Sequence, residues 1–160
     1  MAGLQIQYKI YYSNFAMERY MATEMAIGDV MTPSPVSVGL KEKLLAAREL
    51  MTEKGIRHLP IVEDNQPVSV ISERDITLAI LANKHSEEDI EKLTVEDVCS
   101  LDLYHVELDT SLSEVAQHMA ENVLGSVVIT RDGVLDGIFT ATDACKYLSM
   151  CLQGQFSNCE

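Results

Sequence analysis

The pattern of apolar and polar positions predicts a strand, a helix, two strands and a helix between residues 27 and 82. These elements are a strand at 36–38, a helix at 40–54, strands at 56–62 and 68–72, and a helix at about 74–81. The leading residues carry Pro33 and Pro35, which exclude a helix and favour an extended backbone. Gly55 follows the first helix and is suited to end it in the left-handed conformation.

The same order of elements returns 68 positions later, which is the spacing from Asp75 to Asp143. Without any gap, identical residues coincide at Asp29/Asp97, Val30/Val98, Val38/Val106, Leu40/Leu108, Leu44/Leu112, Met51/Met119, Glu53/Glu121, Ile61/Ile129 and Asp64/Asp132. A period of this length that occurs twice is typical of a duplicated small domain. Because about 60 residues bury too little surface to be stable alone, we expect the two halves to pack on each other.

The second copy carries turn and capping signals of its own. Its predicted elements are a leading segment at 94–99, a strand at 104–106, a helix at 111–122, strands at 126–130 and 135–140, and a helix at 143–152. Ser111 and Glu114 have the spacing of a capping box, and Asp132-Gly133 is typical of a hairpin turn. The predicted organisation is an N-terminal extension at 1–26, repeat one at 27–82, a linker at 83–93, repeat two at 94–152 and a polar tail at 153–160.

The N-terminal extension is apolar and rich in aromatic residues at rough helical spacing. We expect a helix that packs on the core or on a neighbouring subunit, with a dedicated docking segment as the alternative. Its charges and short length argue against a membrane span, and it lacks the features of a secretory signal.

Charge and cysteine usage narrow the class of protein. The chain has 25 acidic and 12 basic residues, a net charge of −13, which argues against a nucleic acid or an anionic membrane surface as partner. The four cysteines, Cys99, Cys145, Cys151 and Cys159, have neither the spacing of a zinc site nor a disulfide framework. We interpret them as reduced thiols of a cytoplasmic protein without a metal site, and redox or metal chemistry at the three cysteines near the C-terminus stays open.

The last strand of each repeat ends in a hydroxyl residue that is followed three positions later by an aspartate. These pairs are Ser72 with Asp75 and Thr140 with Asp143. Because a helix is predicted to begin there, each pair lies beside unpaired N–H groups at a helix N-terminus. Helix capping alone is one interpretation. Recurrence at the same register in both repeats favours a binding role.

The whole arrangement resembles a tandem pair of CBS domains, the family named from cystathionine β-synthase. The resemblance covers about residues 27–150 and rests on Val30-Met-Thr-Pro33, Ile56-Arg-His-Leu-Pro-Ile-Val62, Ser72-x-x-Asp75 and the duplicated order of elements. It implies a mixed α/β (α+β) fold of two β-α-β-β-α units about a pseudo-twofold axis, and commonly a homodimer. It also implies binding of an adenosine-containing ligand between the repeats, in the absence of any required cofactor.

The resemblance assigns residues to this ligand. Ser72 with Asp75, and Thr140 with Asp143, would form two ribose clamps, since one carboxylate can accept hydrogen bonds from both ribose hydroxyls. The residues implied for the adenine pocket are Pro35, Val36, Ser37, Val38, Tyr104, His105 and Val106. AMP, ADP or ATP is the expected ligand, and S-adenosylmethionine, NAD or a cyclic dinucleotide is possible.

The two repeats differ in their candidate phosphate ligands. Repeat one offers Arg57, His58 and Arg74, and the matching residues of repeat two are Gly125, Ser126 and Thr142. We therefore expect phosphates at the first-repeat site and a nucleoside, or nothing, at the second. The alternatives are a strand-edge ion pair or a hydrogen-bonded histidine for Arg57 and His58, and a surface arginine in the first helical turn for Arg74.

These observations favour a regulatory binding module that senses an adenosine nucleotide and passes its conformational change to an unknown effector protein. A ligand-free module for dimerisation or protein interaction is the alternative, although packing alone does not require a carboxylate beside a cleft. An enzyme is disfavoured because the sequence has no phosphate-binding loop, nucleophile elbow or zinc-binding helix motif.

Overall fold

The computed structural model describes residues 25–82 and 87–153. Its strands are β1 (Thr32–Pro33), β2 (Val38–Gly39), β3 (His58–Glu63), β4 (Gln66–Ser72), β5 (His105–Glu107), β6 (Ser126–Arg131) and β7 (Val134–Thr140). Its helices are α1 (Leu44–Lys54), α2 (Glu73–Ala82), α3 (Glu87–Lys92), α4 (Leu112–Glu121) and α5 (Ala141–Leu152). The predicted N-terminal helix and the polar tail beyond residue 153 lie outside the described residues.

The strands form two sheets, one in each half of the molecule. In the first sheet β2 pairs with β3 in parallel, and β3 pairs with β4 antiparallel. In the second sheet β5, β6 and β7 repeat these pairings, and β1 is added antiparallel at the far edge of β7. The predicted α+β class and the duplicated order of elements are therefore confirmed.

Both antiparallel hairpins turn through residues with positive φ. Asp64 and Asn65 have φ of 49° and 66°, and the matching Asp132 and Gly133 have φ of 54° and 78°. Two consecutive left-handed residues define the type I′ turn, whose twist suits a hairpin and which Asp, Asn and Gly adopt most readily. The predicted turn at Asp132-Gly133 is confirmed, and Asp64-Asn65 forms the equivalent turn in repeat one.

Each sheet packs one face against the helix that precedes its central strand. In repeat one the buried cluster comprises Val38, Leu44, Ala47, Met51, Leu59, Ile61, Ile71, Ile76 and Val95. In repeat two it comprises Ile27, Val115, Met119, Val127, Ile129 and Phe139. Each fully buried large side chain contributes about 1.5–3 kcal/mol. Gly55 ends α1 with φ of 65°, as predicted.

The leading segment of each repeat packs on the core of the other repeat. Ile27 belongs to the second cluster, and its N–H donates to the carbonyl of Thr110 at 2.8 Å. Val95 belongs to the first cluster, and its N–H donates to the carbonyl of Glu42 at 2.9 Å. The two repeats thus exchange their leading segments, and backbone hydrogen bonds as well as packed side chains join the two halves.

This exchange explains two departures from the predicted elements. Helix α1 begins at Leu44 instead of residue 40, because the carbonyls of Leu40 and Glu42 accept hydrogen bonds from the leading segment of repeat two. Strand β1 was not predicted, since its sheet partner β7 lies in the other repeat.

The predicted capping box at Ser111 and Glu114 is wrong. The Ser111 side chain makes no cap hydrogen bond, and its Oγ lies 3.0 Å from Ser113 Oγ. A capping box forms instead at Thr94 and Asp97, where Thr94 N–H and Oγ1 both donate to Asp97 Oδ2 at 2.8 Å.

Candidate functional site

The two Ser/Thr-x-x-Asp motifs have nearly the same geometry. Asp75 Oδ2 accepts from Ser72 N–H at 2.9 Å and from Ser72 Oγ at 2.6 Å, and Asp75 N–H donates to Ser72 Oγ at 3.3 Å. For Thr140 and Asp143 the corresponding distances are 3.1, 2.6 and 3.3 Å. Each pair therefore caps its helix reciprocally.

Capping uses only one oxygen of each carboxylate. Within residues 25–82 and 87–153, Asp75 Oδ1 has no hydrogen-bond partner, whereas Asp143 Oδ1 accepts from Lys146 Nζ at 3.2 Å. The capping interpretation and the ribose interpretation are therefore compatible, since Oδ1 could accept from a ligand while Oδ2 holds the helix.

Burial alone would raise the pKa of Asp143. The hydrogen bonds from Thr140 and Lys146 outweigh it, and they hold the pKa of this carboxyl below its ordinary value. Asp143 is consequently a carboxylate at neutral pH, which is the form that accepts strong charge-assisted hydrogen bonds.

Three adjoining cavities lie between the repeats. We call them the Asp75 cavity, of about 580 Å³, the Asp143 cavity, of about 350 Å³, and the central cavity, of about 620 Å³. His58 lines all three. Volumes of this size suit nucleosides and nucleotides.

Each clamp faces the opposite repeat. The Asp75 cavity joins the clamp of repeat one to Tyr104, Leu124 and Ser126 of repeat two. The Asp143 cavity joins the clamp of repeat two to Pro35, Val36 and Ile56 of repeat one. The sequence order of the repeats therefore does not tell which clamp shares a cleft with which adenine-pocket segment.

The residues predicted for adenine separate into two groups. Pro35, Val36 and Tyr104 line cavities. Ser37, Val38, His105 and Val106 are not among the residues that line the three cavities. Val38 is buried in the first core, and Val106 packs against the second.

The predicted phosphate ligands converge on the central cavity, which both clamps adjoin. Arg57, His58 and Arg74 line it together with Ser72, Ala141 and Thr142. Arg57 Nη2 donates to Thr142 Oγ1 at 3.2 Å, so this cation bridges the two repeats. Arg57 also lines the Asp143 cavity, whereas neither arginine lines the Asp75 cavity.

His58 is packed against the glycine that replaces Arg57 in repeat two. A Cβ at Gly125 would lie 2.8 Å from His58 Nε2, so a side chain there would displace the imidazole. Burial lowers the pKa of His58, Arg57 lowers it further, and Asp75 partly opposes the change. The neutral ring is the form present at neutral pH.

Three residues that were not predicted from the sequence, Lys146, His118 and Val123, also border these cavities. Lys146 lines the Asp143 cavity one helical turn after the aspartate, a spacing that could have identified it. In the Asp75 cavity Tyr104 stacks on His118, with ring centroids 4.0 Å apart and planes inclined by 18°. Val123, at the end of α4, lines both the Asp75 and the central cavities. No periodicity in the sequence indicates the contacts of His118 and Val123 with these cavities.

Two further features of the described residues concern metal ions and membranes. In the part of the chain that the structure describes, no three His, Cys, Asp or Glu side chains are grouped so as to hold a metal ion. Nor does any helix there combine the length and the hydropathy that crossing a bilayer requires.

Two duplicated α/β units, joined by exchanged leading segments and separated by clefts with a carboxylate at the edge, define a tandem-repeat module with paired cavities. The chain belongs to the CBS domain family, whose model matches residues 27–82 and 95–150. The resemblance inferred from the sequence is therefore confirmed.

Comparison with curated proteins gives relatives of modest identity. Hypoxic response protein 1 of Mycobacterium tuberculosis is 29% identical over 121 residues, which cover 75% of this chain and 82% of that protein. The uncharacterized protein MJ1225 of Methanocaldococcus jannaschii is 28% identical over 123 residues, which cover 76% of this chain. The matched residues span only 42% of the length of MJ1225.

Solved CBS structures superpose on most of the chain. The AcuB protein of Vibrio cholerae has a TM-score of 0.73 at 26% identity and covers 83% of this chain and 96% of its own. CBSX2 in complex with AMP has a TM-score of 0.67 at 26% identity, with coverage of 82% and 98%. The CBS pair of MJ0100, solved with 5′-methylthioadenosine and S-adenosyl-L-methionine, has a TM-score of 0.71 at 22% identity, with coverage of 79% and 98%, and shows the fold alone.

Proposed function

We propose that this CBS pair is a non-catalytic regulatory module that binds an adenosine nucleotide of the AMP, ADP or ATP class between its repeats. The observation that carries the proposal is the geometry of the two clamps. In each, one oxygen of the aspartate accepts the hydrogen bonds that cap the helix, and the side chain lies at the edge of a cavity between the repeats. The complex of CBSX2 with AMP supports the choice of ligand.

The Asp143 cavity suits a nucleotide best. Pro35 and Val36 offer an extended segment against which an adenine ring can lie, and Ile56 adds an apolar contact. Asp143 would accept from the ribose hydroxyls, after Lys146 has turned towards solvent or phosphate. Arg57 would bind the phosphate, because it lines both this cavity and the central one.

This placement changes the expected partnership of residues. The sequence suggested that Arg57, His58 and Arg74 serve the clamp of Ser72 and Asp75. In the structure Arg57 and the clamp of Thr140 and Asp143 line one cavity. The proposed nucleotide site therefore combines cations from repeat one with a ribose clamp from repeat two.

Output to an effector requires that the ligand favour one arrangement of the halves or of a homodimer. Ligand that bridges Arg57 and Asp143 would hold the two repeats at a fixed separation. Homodimerisation is supported by apolar side chains exposed on the last helix of each repeat: Leu78 and Leu81 on α2, and Leu148 and Leu152 on α5. Free Cys99, Cys145 and Cys151 agree with a reduced, cytoplasmic protein.

The test is a thermal-shift screen with AMP, ADP, ATP, NAD, S-adenosylmethionine and a cyclic dinucleotide. A ligand that binds only the folded state raises the melting temperature, and at 100 times its Kd the gain is about 2.7 kcal/mol. We expect the largest shift with AMP, ADP or ATP, and isothermal titration would then give the affinity.

The matched control is the double variant Asp75→Asn/Asp143→Asn. It keeps an oxygen to cap each helix while removing both clamp charges, so we expect a folded protein without a ligand-induced shift. If no ligand stabilises the wild-type chain, the nucleotide proposal fails. The exposed leucines of α2 and α5 then favour the alternative, a ligand-free dimerisation module.

A further inference from the structure

The structure carries two ribose clamps but only one set of cations on the cavity between them. Arg57 and Arg74 both belong to repeat one, and the matching positions of repeat two present Gly125 and Thr142 to the same cavity. A side chain at position 125 would have to displace the His58 ring, because a Cβ there would lie 2.8 Å from His58 Nε2. The asymmetry is therefore built into the packing.

The charges on the central cavity suffice for one phosphate and not for two. Its lining contains two guanidinium groups, Arg57 and Arg74, and one carboxylate, Glu73. The formal balance is one positive charge, and a phosphate monoester carries close to two negative charges at neutral pH. One bound phosphate already reverses the sign of the cavity, so a second would be repelled across a partly desolvated space.

The space available in the central cavity also limits it to one phosphate. Ser72, from one clamp, and Thr142, two residues after Thr140 of the other, both line the central cavity. A phosphate attached to the 5′ position of either ribose would enter the same space. His58, which lines all three cavities, lies where the two routes meet.

We propose that the central cavity is a single phosphate site shared by both clamps. The pair then binds one phosphate-bearing adenosine ligand at a time and accepts an uncharged adenosine in the remaining clamp. This inference rests on the proposed nucleotide function and adds a rule of occupancy to it. AMP and adenosine bind together, whereas two AMP molecules exclude each other.

Equilibrium dialysis of the full chain with radiolabelled AMP and adenosine tests the rule. We expect two adenosines per chain, one AMP per chain, and one adenosine on the AMP-saturated protein, with a second AMP at least about tenfold weaker than the first. Two equal AMP sites would overturn the shared cavity and leave the proposed function standing. A single adenosine would overturn it too, because the clamps and not the phosphates would then set the limit.

A pair of variants tests whether charge is the cause. Arg57→Ala/Arg74→Ala should lower AMP affinity at least about tenfold while leaving adenosine affinity within about twofold. Arg48→Ala is the matched control, since Arg48 is an exposed cation on α1 that lines none of the three cavities. Unchanged AMP affinity in the double variant would overturn the proposal.

A gain-of-function variant sharpens the result. Thr142→Arg gives repeat two the cation that Arg74 gives repeat one, and we expect the AMP stoichiometry to rise from one towards two. A stoichiometry that stays at one would show that charge does not limit occupancy. Absence of any binding by AMP and adenosine to the wild-type chain would instead remove the proposed function itself.

Discussion

The two repeats keep the same clamp and surround it differently. The Asp75 and Asp143 carboxylates hold their helices with distances of 2.9 and 3.1 Å to backbone N–H and 2.6 Å to hydroxyl. Around them, Arg57 and Arg74 in repeat one are matched by Gly125 and Thr142 in repeat two. The comparison teaches that the two repeats share the carboxylate that caps the last helix and borders a cavity, while the residues around it differ.

The sheets differ as well. In repeat two, β1 pairs with β7, and the N–H of Ser34 continues the contact by donating to the carbonyl of Asp136 at 2.8 Å. The residues that match β1 are Ser100 and Leu101, which form no strand. Ser69 Oγ donates to the Ser100 carbonyl instead. The sheet of repeat one therefore has three strands, and a loop beside it borders the Asp75 cavity.

The largest expected effect comes from substitutions that weaken the packing of the exchanged leading segments. Ile27 and Val95 occupy matching positions, are fully buried, and each fills the core of the opposite repeat. Ile27→Ala should lower the free energy of unfolding by about 2–5 kcal/mol, and Val95→Ala by roughly 2 kcal/mol. Urea unfolding followed by circular dichroism measures both.

Two observations would contradict this account of the exchange. One is a loss below about 0.5 kcal/mol in Ile27→Ala, the range of ordinary surface substitutions. The other is increased hydrogen exchange at β3 rather than β6, because Ile27 packs in the core that contains β6.

The next largest expected effect is on ligand affinity, and it distinguishes the two clamps. Asp143→Asn should weaken AMP binding by on the order of 2–4 kcal/mol, a factor of about 30 to 1,000, because charge-assisted hydrogen bonds to ribose are lost. Asp75→Asn should weaken adenosine binding at the other clamp and change the first AMP affinity much less. Isothermal titration with AMP and adenosine distinguishes the two variants.

The chain offers a matched control for both. Asp97 Oδ2 accepts from the N–H and the hydroxyl of Thr94, as the clamp aspartates do from their partners, but Asp97 lines none of the three cavities. Asp97→Asn should therefore leave AMP affinity unchanged while weakening a cap. Equal losses of AMP affinity in the Asp75 and Asp143 variants would contradict the assignment of the nucleotide to the Asp143 cavity.

The fold was largely predictable because the repeat supplies two independent samples of one pattern. The hairpins at Asp64-Asn65 and Asp132-Gly133 follow from residues that tolerate positive φ. That each clamp lines a cavity together with residues of the opposite repeat was not predictable. An internal repeat identifies equivalent residues, but it does not tell which surfaces of the two repeats contact each other. Strand β1 was missed for the same reason, and at Ser111 the hydroxyl contacts Ser113 Oγ at 3.0 Å and does not cap the helix.

A smaller effect concerns the ends of the first helix in each repeat. Gly55 follows α1 with φ of 65°, whereas the matching Val123 adopts φ of 56° with its side chain 91% exposed. A residue with a Cβ is strained by about 1–2 kcal/mol in the left-handed conformation. Glycine avoids this strain, but it loses more conformational entropy on folding, which offsets part of the gain. Val123→Gly should raise the free energy of unfolding by roughly 1 kcal/mol, and Gly55→Val should lower it by a similar amount.

Thermal unfolding of the two variants measures this difference. Stabilisation by Gly55→Val, or destabilisation by Val123→Gly, would show that the helix ends do not differ in strain. Because Val123 borders the Asp75 and central cavities, adenosine titration of Val123→Gly also reports whether its side chain contacts ligand.

The smallest effect is a pH dependence from His58. Its pKa in the folded protein lies below the ordinary value of 6.5, so the folded state binds fewer protons than the unfolded state in the interval between the two values. Its contribution to stability is present above pH 6.5 and is lost as the pH falls through the folded pKa. Urea unfolding between pH 7.5 and 5 should show a smaller pH-dependent loss in His58→Gln than in the wild type, and equal losses would contradict it.

The exchanged leading segments also determine when the chain can fold. During synthesis, repeat one reaches its last helix at residue 82, yet its core still lacks Val95, and Ile27 has no core to enter until β6 and β7 exist. Contacts this distant along the chain form late and slow the folding transition. A nascent chain that stops after the first repeat exposes apolar surface and invites aggregation or proteolysis. We therefore expect stable folding of either repeat to wait until both have been synthesised.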